Sequence, residues 1–131
     1  FLPGAFLQNE HQKFVCKNVH IKAEHASNFV TKRAADKVLK IPVAHGEGRY
    51  FADAKTMEQL QKNNQIVFRY CDENGEINIQ ANPNGSTNNI AGICNETFNV
   101  FGMMPHPERA TSDALHNMDG RWILEAFTHM N

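Results

Sequence analysis

Gly102-Met103-Met104-Pro105-His106-Pro107-Glu108-Arg109 decides how this chain is read. The stretch sets an imidazole and a carboxylate two positions apart, with a proline on each side of the histidine. Each proline has a fixed φ, and a residue that precedes proline is driven from the helical region towards extended backbone. In extended chain, residues i and i+2 project to the same side, roughly 6.6 Å apart at two strand rises. The spacing therefore predicts that Glu108 holds one nitrogen of His106 and leaves the other free to act on a substrate. A base oriented by a carboxylate makes up two of the three parts of a nucleophilic triad. An ordinary surface loop can show the same H-x-E spacing, so what the pair does depends on where a nucleophile lies.

Working outward, residues 90–94 and 99–104 read as a strand pair around the turn 95–98. Residues 119–130 close the chain as a helix with Trp122, Ile123, Ala126 and Phe127 on one face. Upstream, residues 13–22 alternate apolar and polar side chains as a strand does, and residues 37–43 and 65–71 are two further extended runs. Residues 53–64 read as a helix with Thr56 as N-cap and Gln59 three positions on. His45-Gly46-Glu47-Gly48 is a glycine-flanked loop that leads into extended Arg49-Tyr50-Phe51. Residues 27–30 are a short turn or a helix start, and residues 72–75 and 82–89 are rich in turn formers. Mixed strands and helices fit an α/β layer architecture. The opening Phe1-Leu2-Pro3-Gly4-Ala5 reads as a helix end followed by a turn and does not start with Met, so the domain is expected to begin upstream of this stretch.

Bulk composition narrows the classes. At 131 residues the chain is one domain at most, and 41% hydrophobic with 21% charged residues is ordinary globular usage. A net charge of −1 gives no electrostatic case for nucleic acid or an anionic membrane. No apolar run approaches the roughly 20 residues of a membrane helix. The three cysteines form no C-x-x-C pair and leave one over, which argues for reduced thiols in a cytoplasmic protein.

Other candidate chemistry is weaker. Gly92-Ile93-Cys94-Asn95 looks like the start of a nucleophile elbow, but Glu96 stands where a small residue is needed and the chain continues into a hairpin. Cys94 is thus expected to be a small buried strand residue, and Cys16 and Cys71 are read the same way. His45-x-Glu47 and His106-x-Glu108 offer metal ligands without a recognised spacing, so no metal is expected. Gly46-Glu47-Gly48 has an acidic centre and makes a poor phosphate cradle. Lys32, Arg33 and Lys37 read as a solvated face.

Three segments together resemble one family. Residues 42–48 (Pro-Val-Ala-His-Gly-Glu-Gly), 90–96 (Ile-Ala-Gly-Ile-Cys-Asn-Glu) and 99–109 (Asn-Val-Phe-Gly-Met-Met-Pro-His-Pro-Glu-Arg) are similar to the glutamine amidotransferase subunits of phosphoribosylformylglycinamidine synthase, within the class I (triad) amidotransferases. His-Pro-Glu alone marks the class, and the longer motifs point to this subunit. The resemblance implies a flavodoxin-like α/β fold truncated at its N-terminus, with residues 1–131 as the C-terminal part of a single class I domain. It implies catalytic roles for His106 as base and Glu108 as its orienter, and a substrate-side or interface role for His45, Gly46 and Glu47, for which a plain glycine turn is an equal alternative. The family's nucleophile sits in a Gly-x-Cys-Asn-Gly-Phe-Gln elbow ahead of the Leu-Pro-Gly-Ala segment, a motif these 131 residues do not contain. This stretch alone is therefore expected to release no ammonia from glutamine and to associate through an uncovered apolar face.

For the complete protein the resemblance implies a glutaminase. It would take glutamine as substrate and pass ammonia to an ATP-dependent synthetase subunit in purine biosynthesis, with a small accessory subunit as a further partner. No cofactor is implied in this chain, and ATP and Mg are expected on the synthetase. Two alternatives stay open: a non-catalytic scaffold that binds the synthetase, and a class I amidotransferase with another acceptor, against which Met103-Met104 and Arg109 argue.

Overall fold

Strand pairing organises this chain, and in the computed structural model, which describes residues 2–128, two antiparallel sheets result. The larger contains β2 (Val15–Ala23), β3 (Val38–His45), β5 (Ile66–Cys71), β6 (Ile90–Cys94) and β7 (Phe101–Met103), in the order β3-β2-β5-β6-β7. The smaller is a ribbon of β1 (Ala5–Gln8) and β4 (Glu47–Phe51). Every pairing between these strands is antiparallel, so parallel strands of a flavodoxin-like sheet are not among the described residues. Three helices complete the mixed α/β architecture: α1 (Phe29–Ala34), α2 (Ala54–Lys62) and α3 (Arg121–Thr128).

The apolar pattern explains the layering. In β2 the inward residues Val19, Ile21 and Ala23 alternate with half-exposed His20 and Lys22. Central β5 is buried along its whole length, as a strand covered on both faces must be. A larger core joins Ile21, Leu39, Ile41, Val43 and Phe68 to Val30 and Ala34 of α1 and to Ile123 and Ala126 of α3. A smaller one joins Tyr50, Leu60, Ile66, Ile90 and Ile93. Arg69 is buried within β5 because Glu24 grips its guanidinium at 2.6 and 2.9 Å and the Asn88 carbonyl accepts a third bond.

Several local expectations shift. Asp53, not Thr56, caps α2, its carboxylate accepting the Thr56 N–H at 2.8 Å. Residues 27–30 start α1, where Asn28 and Thr31 form a reciprocal capping box. The last helix begins at Arg121, two residues later than read, and His129 and Met130 lie outside the described residues. Leu2, Pro3 and Gly4 bend directly into β1, and Phe1 is likewise outside the described residues. Cys16 is exposed rather than buried, as are its neighbours Lys17 and Asn18 in the first half of β2. Lys32 is solvated, but Arg33 bonds Glu125 of α3 at 3.2 Å and the Lys37 ammonium lies 4.1 Å from the Trp122 ring centroid, so two of the three basic side chains hold the last helix. No described helix is long and apolar enough to cross a membrane.

Candidate active site

Pro42 begins the site. It lies in β3, an edge strand, where a missing N–H costs no ladder bond. Its carbonyl accepts the backbone N–H of His106 at 2.8 Å, which ties the turn after β7 to the sheet. His106 itself has φ −103° and ψ 84°, off the helical region as a residue before proline must be.

Beyond His106 the extended reading fails. Pro107–Arg109 is a 3-10 turn with proline at its start, closed by Arg109 N–H to His106 O (3.1 Å) and Ala110 N–H to Pro107 O (3.0 Å). Proline restricts the residue before it, not the residue after it, so Glu108 is free to curl back. The curl brings Glu108 Oε1 to 2.8 Å from His106 Nδ1. The His106 side chain keeps 30% exposure, and its Nε2 has no hydrogen-bond partner among the described residues. The Arg109 guanidinium approaches Glu108 only to 3.8 Å, with both side chains largely in solvent. Gly120 supports the turn from below: a Cβ there would stand 1.9 Å from the Pro107 carbonyl oxygen, and its N–H donates to Ala110 O at 2.7 Å.

The His45-Gly46-Glu47-Gly48 segment is less of a loop than its glycines suggest. β3 runs through His45 and β4 starts at Glu47, leaving Gly46 as a one-residue joint between two sheets. Gly48 is glycine because a Cβ would stand 2.6 Å from Met104 Cε and 2.8 Å from His45 Cγ. The motif residues Met104, His45 and Gly48 thus pack on one another. Glu47 is exposed at the start of β4. His45 is 4% exposed, and burial, then the nearby His106 and His11, push its pKa below the ordinary 6.5.

Asn9 is the residue that sequence reading missed. It is 1% exposed; its side-chain amide donates to the carbonyls of His45 and Lys13, both at 2.8 Å, and its Oδ1 lies 2.9 Å from His45 Nδ1. Its backbone N–H donates to Gly46 O at 2.9 Å. Nothing local marks it, because all these partners except Lys13 are distant in sequence.

The cysteines do not offer a ready nucleophile. Cys94 is fully buried, its thiol faces Gln65 O at 3.5 Å, and burial pushes its pKa up to about 11. Burial likewise lifts Cys71 to about 11. Cys16 is exposed on β2, opposite Ala44 of β3. Among the described residues no three His, Cys, Asp or Glu side chains gather as a metal-binding group.

Comparison with known proteins identifies the family. The family model of the CobB/CobQ-like glutamine amidotransferase domain matches residues 3–129. The phosphoribosylformylglycinamidine synthase subunit PurQ of Aquifex aeolicus is 51% identical over 120 residues, covering 91% of this chain and 53% of that protein. The subunit of the same name from Acaryochloris marina is 52% identical over 125 residues, covering 95% and 53%. Among solved structures, a chain of PurLQS from Thermotoga maritima superposes with a TM-score of 0.75 at 35% identity, covering 97% of this chain and 52% of that one. The chain spans about half the length of the curated relatives it matches.

Proposed function

The chain belongs to the CobB/CobQ-like glutamine amidotransferase domain family, and on that premise we propose that it is the base-bearing, C-terminal part of a class I glutaminase domain. The observation that carries the reading is the 2.8 Å contact between His106 Nδ1 and Glu108 Oε1, with the other ring nitrogen left open. Relatives named as subunits of phosphoribosylformylglycinamidine synthase support glutamine as substrate and a synthetase subunit as recipient of the ammonia. The likeness to a chain of the PurLQS structure supports an assembly with a synthetase and a small accessory subunit. In this reading the protein works in the cytoplasm, and ATP and Mg belong to the synthetase.

The chemistry runs through a cysteine thiol supplied by the part of the relatives' length that this chain does not span. His106 Nε2 takes the thiol proton as sulfur attacks the glutamine carboxamide carbon. The imidazolium returns that proton to the nitrogen as the C–N bond breaks, releasing ammonia and leaving a glutamyl thioester. Water then attacks the thioester, again through His106, and glutamate leaves as the thiol is restored. Glu108 holds Nδ1 protonated and offsets the positive charge on the ring during both steps. His45, Gly46 and Glu47 are proposed to border the bound glutamine or the partner.

Ammonia release from glutamine by the full-length protein with its synthetase tests the reading. His106→Ala is expected to lower kcat by about 10²–10⁴-fold. An unchanged rate would overturn the assignment, and a wild type that binds the synthetase without any glutaminase activity would leave the scaffold reading in its place.

A further inference from the structure

β3 is the last strand of its sheet, and one of its long edges has no strand partner among the described residues. An edge of that kind leaves every second N–H and C=O without a ladder bond. Lys40 and Pro42 stand two residues apart in β3, so their free backbone groups point the same way. Together they offer one N–H and two carbonyls, since proline has no N–H. All three are taken by the segment that follows β7. Asp119 Oδ2 accepts the Lys40 N–H at 2.7 Å, Asn117 Nδ2 donates to Lys40 O at 2.7 Å, and the His106 N–H donates to Pro42 O at 2.8 Å. Asn117 and Asp119 thus give Lys40 the one donor and one acceptor that a neighbouring strand would. The Asp119 N–H donates to Asn117 Oδ1 at 3.0 Å, which closes the ring of bonds and fixes which end of the Asn117 amide is nitrogen.

Short bonds join this clamp to the catalytic turn. Gly120, next after Asp119, donates to Ala110 O at 2.7 Å, and Ala110 donates back to Pro107 O at 3.0 Å. Within the loop between them, Ser112 and Asn117 exchange backbone bonds of 3.1 and 3.4 Å. On its other side the turn leaves from β7, where the Met104 N–H donates to Ala91 O of β6 at 3.1 Å. β7 and β3 are opposite edges of the five-stranded sheet, so His106 is strung between them. β7 sets where the turn departs, and β3 sets how far it reaches.

We propose that Asn117 and Asp119 are positioning residues: by pairing with Lys40 as a strand would, they set the register of the catalytic turn on β3 and so the place of the His106 ring. The consequence for catalysis rests on the glutaminase reading, whereas the docking does not. Protecting a bare strand edge from association would require only that its groups be covered. Register matters further because a misplacement of about 1 Å near reacting atoms can cost about 10²-fold in rate.

Two isosteric exchanges in the full-length protein with its synthetase separate these roles. Asn117→Asp sets a carboxylate oxygen against Lys40 O, where a donor is needed. Its kcat for glutamine hydrolysis is expected to fall about 10–100-fold with the KM for glutamine unchanged, because the base moves and the substrate does not. Asp119→Asn keeps an oxygen that accepts the Lys40 N–H, so its kcat is expected to stay within about twofold of wild type. An unchanged kcat in Asn117→Asp, a change confined to KM, or an equal loss in Asp119→Asn would each overturn the proposal. Should Asn117→Asp fail to fold, amide hydrogen exchange in the wild type decides. Lys40 and His106 are expected to share one protection factor, since clamp and turn undock together. A Lys40 amide more than about tenfold less protected than that of His106 would show that the turn holds without the clamp, and would overturn the proposal. A wild type without glutaminase activity would fail the reading, and the same exchange rates would still report the docking.

Discussion

His106 and Glu108 meet across a 3-10 turn, with Nδ1 and Oε1 2.8 Å apart, and the turn that brings them together rests on a glycine twelve residues further along the chain. The pair is a local contact held by non-local support, and the consequences of disturbing either part differ.

Replacing the carboxylate tests the chemistry. Glu108→Gln keeps the size of the side chain but removes the charge that offsets an imidazolium, and its amide can turn to present a donor. The kcat for glutamine hydrolysis is expected to fall by about 10²-fold, with little change in the unfolding midpoint because Glu108 is largely exposed. An unchanged kcat would remove Glu108 from the site.

Replacing the glycine tests the support. Gly120→Ala would drive a Cβ to within 1.9 Å of the Pro107 carbonyl oxygen, so the turn or the start of α3 must move. Urea unfolding is expected to show a loss of about 1–3 kcal/mol, accompanied by a weakened His106–Glu108 contact in the imidazole spectra.

Tyr70 predicts a gain rather than a loss. It is fully buried in β5, its hydroxyl has no hydrogen-bond partner among the described residues, and burial pushes its pKa well up. Tyr70→Phe removes an unsatisfied buried polar group and keeps the ring, so stability is expected to rise by about 1 kcal/mol in the same urea assay. A loss of similar size would show that the hydroxyl has a partner after all.

The thiols predict both a labelling pattern and a pH dependence. In the native protein at pH 8, iodoacetamide is expected to alkylate Cys16 and to spare Cys71 and Cys94, which mass spectrometry reads directly. Burial raises both buried thiols from 9.0 to about 11, so folding favours the protonated form. Their contribution is therefore fully present below pH 9 and is lost as pH rises towards 11. Tyr50, raised by burial from 10.0 to about 12, extends the loss further into alkali. Urea midpoints measured from pH 8 to 11 should fall; a flat curve would contradict the burial of these groups.

The strands were legible because their signal is periodic and local. Val19, Ile21 and Ala23 alternate with polar neighbours, and the run from Ile66 to Cys71 is apolar enough to need cover on both faces. Boundaries were harder, as at α2, where Asp53 and Thr56 could each cap the helix and only the backbone decided for Asp53. Burial of a single residue was read only in part: Cys71 and Cys94 are buried as expected, but Cys16, in a strand like them, is exposed.

The sequence by itself determined the chemistry of the candidate pair. Two prolines around His106 and a carboxylate two residues on restrict a short stretch of backbone, and such restrictions act whatever the rest of the chain does. The tertiary structure decided what surrounds that pair. Asn9 meets His45 across 36 positions and Gly120 meets Pro107 across a turn, because close approach between distant segments depends on how the sheets and helices stack. No local periodicity records that stacking.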